Sequence, residues 1–440
     1  MQRRNFIKQS SFTAIGMGVL GSLIANNKNS FSNLTVNSKR IESRIFELAK
    51  FGVDEKGRGY RVAYTKGDLE GRAWFMELMK KAGLNPTIDA AGNIIGKRDG
   101  KNPSLKPIAF GSHIDMVPDG GNYDGTLGSI AALELVEIFN ENNIVTEHPL
   151  EVIIFGNEEG GTIGSKAMVG DITSDGLKQK SQSGLTMGEG IKAIGGNPEN
   201  IQSCIRKKGD IHSWVELHIE QGGILEREKI QIGVVEGIVG IVHWEVTVEG
   251  FANHAGATPM NMRQDALLAA SKFIIAVNEV INSVKGSQVG TIGKIAVQPG
   301  AYNVIPGKVQ LGLEIRDLNA SKIENLFKEI EKRAATIATS SKTTIKFERQ
   351  ANESKPALTD KKLQQIINTT AKALGFTTKF MQSGAGHDSQ HIAAIAPSAM
   401  IFIPSIGGIS HSPKEFSTAT DMANGANVLI QTILQIDQSK

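Results

Sequence analysis

Five short segments of this chain each place a metal-type ligand at the end of an apolar, strand-like run. They are Gly-Ser-His113-Ile-Asp115, Tyr123-Asp124-Gly-Thr-Leu-Gly, Asn-Glu158-Glu159-Gly, Glu216-Leu-His218-Ile-Glu220-Gln221-Gly and Ile-Ser-His411-Ser. Taken singly, each has a plain reading. His113 reads as a hydrogen-bonded core residue, Asp124 as a helix cap, Glu158-Glu159 as a solvated loop and His218 as an exposed strand residue. Taken together, three imidazoles and several carboxylates at strand ends are what a two-metal hydrolytic site needs. Asp115 stands two residues from His113 and can accept its second ring N–H, fixing the tautomer. Adjacent side chains diverge, so of Glu158 and Glu159 one can bind metal while the other handles protons.

The elements around these residues predict how they are positioned. Strands are expected at 108–110, 150–155 and 399–403, the second nearly continuous in apolar residues as a strand covered on both faces would be. Helices are expected at 42–51, 71–82, 125–140, 361–374 and 421–436. This alternation predicts an α/β domain with a doubly wound, mostly parallel sheet, whose ligands collect beyond the carboxyl ends of the strands. Near Gly233 the texture changes. Trp244, Val246 and Val248 alternate with Glu245, Thr247 and Glu249, and strand, helix, strand, strand, helix, strand follow to Arg349. The reading is an inserted ferredoxin-like α+β domain over 233–352, splitting the catalytic domain into 36–232 and 353–440.

In the inserted domain Arg316 falls on the polar face of its strand. It is free to grip a substrate carboxylate bidentately, or equally to pair with Asp317 or Glu314. His254 lies in a turn after the Trp244 strand, Asn303 begins a turn before Pro306, and Gln221 is a further candidate for a substrate contact.

The chain has 440 residues and a formal net charge of +3, which gives no reason to expect nucleic acid or an anionic membrane as partner. The lone Cys204 excludes internal disulfides and a Cys-rich zinc site. Arg3-Arg4-Asn-Phe6-Ile7-Lys8 followed by a weakly apolar stretch to Leu23 reads as a twin-arginine export signal within a 1–35 leader. That predicts use of the twin-arginine export machinery and a periplasmic enzyme, membrane-anchored where the leader is retained.

The motifs GSHIDMVPDGGNYDGTLG, NEEG, VELHIEQGGILE, FANHAGATPM, Asn303-Val-Ile-Pro306, LEIRD, GAGHD and ISHSP resemble the M20 metallohydrolases. More narrowly, they resemble the branch holding N-carbamoyl-L-amino acid hydrolases, allantoate amidohydrolases and β-ureidopropionases. The resemblance implies two divalent ions, of Zn, Mn, Co or Ni. It implies His113 and His218 on one, Glu159 and His411 on the other, Asp124 bridging and Glu158 as general base. It also implies a homodimer through the inserted domain, with His254 and Asn303 reaching the carbonyl oxygen, often in the neighbouring subunit's site. A carboxylate commonly stands at the His218 position in the peptidase branches, so the histidine, followed by Ile-Glu-Gln, favours the carbamoyl-type branch. Three departures bear on the pocket: Met116 where Thr or Ser is common, Ser389 where Ala is usual, and a shortened Gly160–Ser165 link lacking the usual Arg-Phe. A metallopeptidase or aminoacylase on the same scaffold is the rival reading, and a non-catalytic periplasmic binding protein a third.

Overall fold

Leu150–Phe155 is buried at every position in the computed structural model, which describes residues 34–351 and 353–439. Strands β1 (Asn85–Ile88), β2 (Ile94–Arg98), β3 (Ile108–His113), β4 (Leu150–Phe155), β5 (Ser213–Ile219) and β6 (Ile232–Ile238) come first. Then come β7 (Gly240–Glu249), β8 (Asn253–His254), β9 (Val289–Gln298), β10 (Val304–Ile305), β11 (Lys308–Asp317) and β12 (Thr344–Arg349). The last three are β13 (Ala357–Leu358), β14 (Thr378–Ser383) and β15 (Ser398–Ile403).

The large sheet has the order β1-β2-β4-β3-β5-β15-β6-β13, with β14 also on β6. Its four central strands, β4, β3, β5 and β15, run parallel, whereas β1, β2, β6 and β13 join antiparallel at the flanks. Helices cover the centre on both sides, which is why β3, β4, β5 and β15 are buried throughout. The β1–β2 hairpin and β14 have no clear apolar period and are seen only in the fold.

The helix Thr126–Glu141 shows a threefold apolar recurrence in sequence, yet thirteen of its sixteen residues are buried. It lies between the sheet and the helices Ser38–Leu48 and Ala419–Gln438, so it is apolar nearly all round. Its one buried acid, Glu134, receives Arg40 Nε at 2.5 Å and Nη2 at 2.9 Å. Truncating a core residue here, such as Leu135→Ala, is expected to cost roughly 2–5 kcal/mol.

The second sheet, β12-β7-β11-β9, is antiparallel throughout, and the helices Ala266–Ser283 and Ala320–Ser341 pack on one face. Strict alternation of burial along β7 and β11 follows from that one-sided cover. One boundary needs correction. The change of texture at Gly233 does not mark the edge of the insertion, because Ile232–Ile238 pairs with β15, β13 and β14 in the large sheet. The second sheet starts at Gly240, where the one-sided pattern begins. The twin-arginine segment lies outside the described residues.

Candidate metal centre

β3 and β5 run parallel with Ile108 opposite Ser213 and Phe110 opposite Val215. Continued along both strands, that register brings His113 level with His218, and their ring centroids are 6.0 Å apart. Each imidazole turns Nδ1 to a backbone carbonyl, His113 to Asp115 O at 3.1 Å and His218 to Ile219 O at 2.9 Å. A carbonyl only accepts, so Nδ1 carries the proton and the Nε2 lone pair faces the cleft.

Asp124 sits between two donor sets. Its Oδ1 lies 3.1 Å from His218 Nε2 and 3.7 Å from His113 Nε2. Its Oδ2 lies 3.3 Å from His411 Nε2, which is 3.4 Å from Glu159 Oε2. Gly125, which follows Asp124, has φ +61° and would drive a Cβ into the His113 ring. Only glycine allows the helix Thr126–Glu141 to start so close to both ligands. Gly128 does the same one turn on, where a Cβ would strike the Leu217 carbonyl of β5.

Glu158 and Glu159 point to opposite sides of the cluster. Glu158 Oε2 lies 3.8 Å from His113 Nε2, whereas Glu159 faces His411. Asn157 before them and His411 both adopt left-handed backbone, with φ 55° and 52°. Non-glycine residues take that conformation where the surroundings enforce it.

The electrostatics fit a cation site. Burial pushes the Glu158 carboxyl well above the ordinary range, and burial with the Asp124 charge pushes Glu159 up to about 7. Burial works against charge on His113, but Glu158, Asp124 and Asp115 outweigh it and hold its pKa well above the usual value. The Asp124 hydrogen bond raises His411 to about 9. Glu159 Oε1 is buried with no hydrogen-bond partner among the described residues. Three carboxylates and three imidazoles packed this closely, two of the rings held by backbone carbonyls, are a donor set suited to divalent ions, which relieve the repulsion and use the orphaned oxygen.

Residues 109–435 match the model of peptidase family M20/M25/M40. The chain belongs to this family. It is 39% identical over 410 residues to the N-carbamoyl-L-amino acid amidohydrolase of Geobacillus stearothermophilus, covering 92% of this chain and 100% of that one. It is 37% identical to the ureidoglycolate hydrolase of Arabidopsis thaliana, covering 92% of this chain and 88% of that one. The crystal structure of a hydantoinase/carbamoylase family amidase from Burkholderia multivorans superposes with a TM-score of 0.87 at 35% identity, covering 92% and 99% of the two chains.

The remaining residues singled out in the sequence of this M20 family member fall in several places. The Asp115 carboxylate does not hold the His113 ring, as its Oδ1 is 3.7 Å from Nδ1. It accepts the amide N–H of Glu158 at 3.2 Å and of Glu159 at 3.1 Å, because the parallel strands β3 and β4 end side by side, His113 opposite Phe155. Gln221 borders a cleft between the two sheets, and its Nε2 is turned to Asp124, donating to Oδ2 at 2.6 Å. Arg316 is on the polar face of β11 but not free. Its Nε and Nη2 donate to Glu314 at 2.7 and 3.1 Å, and its Nη1 to Gly384 O at 2.7 Å.

His254 pairs with Val304 in the exposed β8–β10 ribbon of the insertion, and Asn303, just before β10, accepts the N–H of Ala255 on its backbone O at 2.9 Å. No hydrogen bond or ion pair joins either to the cluster among the described residues. His254 Nδ1 accepts the N–H groups of Gly256 and Ala257 at 3.0 and 3.1 Å, so its Nε2 keeps the proton and is a donor.

Two supporting residues carry no signal in the sequence. Glu415 accepts the N–H of Tyr123 at 2.9 Å and of Asp124 at 3.1 Å, and Ser410 Oγ lies 3.0 Å from Asp124 Oδ2 and 2.8 Å from Glu415 Oε2. Glu415 sits in a polar Ser-Pro-Lys-Glu run that reads as surface, and its burial is a tertiary event. Ser389, a departure from the family pattern, also finds its reason. It accepts Trp214 Nε1 at 2.7 Å and donates to the buried Glu216 at 2.5 Å, bracing the strand that carries His218.

Proposed function

We propose that this chain is a two-metal amidohydrolase that cleaves a linear, non-peptide C–N bond, with N-carbamoyl-L-amino acids and related ureido acids as its substrate class. The observation that carries the reading is Asp124, whose two oxygens face separate donor pairs, His113 with His218 and His411 with Glu159. The names of the Geobacillus and Arabidopsis relatives support the substrate class.

His113 and His218 would hold one ion, Glu159 and His411 the other, and Asp124 both. Such ions, when bound, lower the pKa of a water toward neutrality. Glu158 is the residue left to take that water's proton. Burial raises its carboxyl pKa and with it the affinity for that proton, which suits a group that must accept a proton and then pass it to the leaving nitrogen. Loss of the amino acid from an N-carbamoyl substrate leaves carbamate, which decays to ammonia and carbon dioxide. Arg316 serves as the anchor for the substrate carboxylate. His254 Nε2–H and Asn303 are donors for the scissile carbonyl oxygen, delivered from the inserted domain of a second copy in a homodimer. The inserted domain acts as a lid, and the leader directs export by the twin-arginine route to the periplasm.

The test is ammonia release from a panel of ureido acids after reconstitution with Zn, Mn, Co or Ni separately. Ammonia from N-carbamoyl amino acids, with no amino acid freed from dipeptides, supports the reading. The reverse pattern would establish the peptidase reading instead.

A further inference from the structure

Arg316 has five N–H groups, and three are already committed. Nε and one N–H of Nη2 form a fork on the two oxygens of Glu314, two residues earlier on the same face of β11. Nη1 reaches across to Gly384 O in the large domain. Gly384 opens the loop that carries His387, whose ring centroid is 4.5 Å from that of His218. The same loop borders an interdomain cleft of about 860 Å3, lined also by Gln221, Gln288, Asp317 and Leu318. Gln221 in turn donates to Asp124. The guanidinium is thus tied, through Gly384, to the rim of a cleft whose lining includes Gln221, a hydrogen-bond partner of Asp124.

Glu314 is itself fixed from a second side. The register of β11 on β7 sets it opposite His243, whose Nε2 lies 2.8 Å from Glu314 Oε2. An exposed ion pair needs no third partner, and its side chains wander among rotamers. Here a carboxylate is held between an imidazole and a guanidinium that are only 32% and 28% exposed. Burial pushes the Glu314 carboxyl up, but the bonds and charge of Arg316 and the His243 bond outweigh it and keep it ionised. Because Glu314 takes the Nε and Nη2 edge of the guanidinium and Gly384 O takes one N–H of Nη1, one N–H remains on each terminal nitrogen for a second carboxylate.

We propose that Glu314, steadied by His243, is the positioning residue for Arg316: it occupies one edge of the guanidinium so that the other is presented to the carboxylate of a ureido acid. The assignment rests on the role given to Arg316 in the proposed function. Glu314 is an internal carboxylate that orients the anchor and does not compete for it.

The test uses the metal-loaded full-length enzyme and its variants Glu314→Gln, Glu314→Asp, His243→Gln and Arg316→Ala. Metal content and thermal midpoint are checked first, so that a misfolded variant is recognised. kcat and KM are measured for an N-carbamoyl amino acid and for its carboxamide. Glu314→Gln is expected to raise KM for the carboxylate about tenfold, with kcat within about twofold and the carboxamide unaffected. Glu314→Asp should recover part of the loss, and His243→Gln should show a smaller rise in the same direction. An unchanged or lowered KM in Glu314→Gln, alongside a raised one in Arg316→Ala, overturns the positioning role and leaves the anchor standing. No effect in Arg316→Ala overturns both. Should the wild-type enzyme release no ammonia from any ureido acid, the proposed function fails. Calorimetric binding of the same carboxylate and carboxamide to the same proteins then decides the Glu314 assignment, with loss of the carboxylate preference in Glu314→Gln supporting it and retention overturning it.

Discussion

Asp115 receives the amide N–H groups of Glu158 and its neighbour on its two carboxylate oxygens, at 3.2 and 3.1 Å. The acid therefore aims the β4 loop, while its own backbone carbonyl orients His113. Asp115→Asn would oppose an NH2 group to one of those N–H donors, at a cost of about 1–3 kcal/mol. Lower kcat and a metal affinity weakened by roughly 10–100-fold are expected. Unchanged kcat and metal occupancy in Asp115→Asn would show that the loop holds its shape without this contact.

Glu158 faces the cluster beside His113 without completing either donor pair on Asp124. Glu158→Gln keeps the size of the side chain and removes its ability to take a proton. It should bind metal as the wild type does and lose turnover by at least ~100-fold. Metal analysis beside steady-state kinetics checks this, and an active variant would move the general base elsewhere.

Asp124 touches both donor pairs, so Asp124→Ala should empty both sites together rather than one. Metal-to-protein ratios after reconstitution are expected to fall toward zero. A ligand that binds only the folded state at ~100 times its Kd adds about 2.7 kcal/mol of stability. A chelator should therefore lower the melting temperature of the wild type and leave that of Asp124→Ala unmoved. Retention of one full equivalent of metal in the variant would contradict the bridging role.

His391 gives a pH dependence apart from the cluster. Its Nε2 lies 2.8 Å from Thr162 Oγ1, in the shortened link after Glu159. Burial, followed by the charge of Lys166, lowers its pKa to about 4. An unfolded histidine titrates near pH 6.5, so between about pH 6.5 and 4 the unfolded chain binds more protons. The stability from keeping His391 neutral is present above that window and is lost as the pH falls through it, on the order of 2 kcal/mol after allowance for partial exposure. His391→Gln should flatten this part of the profile. Parallel melting curves for wild type and variant from pH 7 to 4 would exclude the effect.

Much of the catalytic layout is legible before folding. Buried strands announce themselves as apolar runs, and ligands at their carboxyl ends must share a rim because parallel strands end on the same side. His113, Glu158, Glu159 and His411 could be placed together on that argument alone, because each follows one of the three expected strands. The one-sided sheet of the insertion was likewise written in the alternation of Trp244, Val246 and Val248. The edge of that insertion was not, because Ile232–Ile238 is a β-strand in either domain and only its pairing partners assign it.

Periodicity reports which face of an element is buried, and it is silent about which groups meet across the chain. Ser410 finds Asp124 over a separation of 286 residues, and Glu415 finds the Tyr123 amide over 292. No local pattern encodes such contacts. The choice of Asp115 between an imidazole and two amides, and of Arg316 between an open hand and one half closed on Glu314, depends on angstrom-scale approach of separate loops. Residue type and strand order therefore determined the chemistry that is available to this chain. Tertiary packing decided how each acid is aimed, because only in the folded chain do donors and acceptors compete for the same few oxygens.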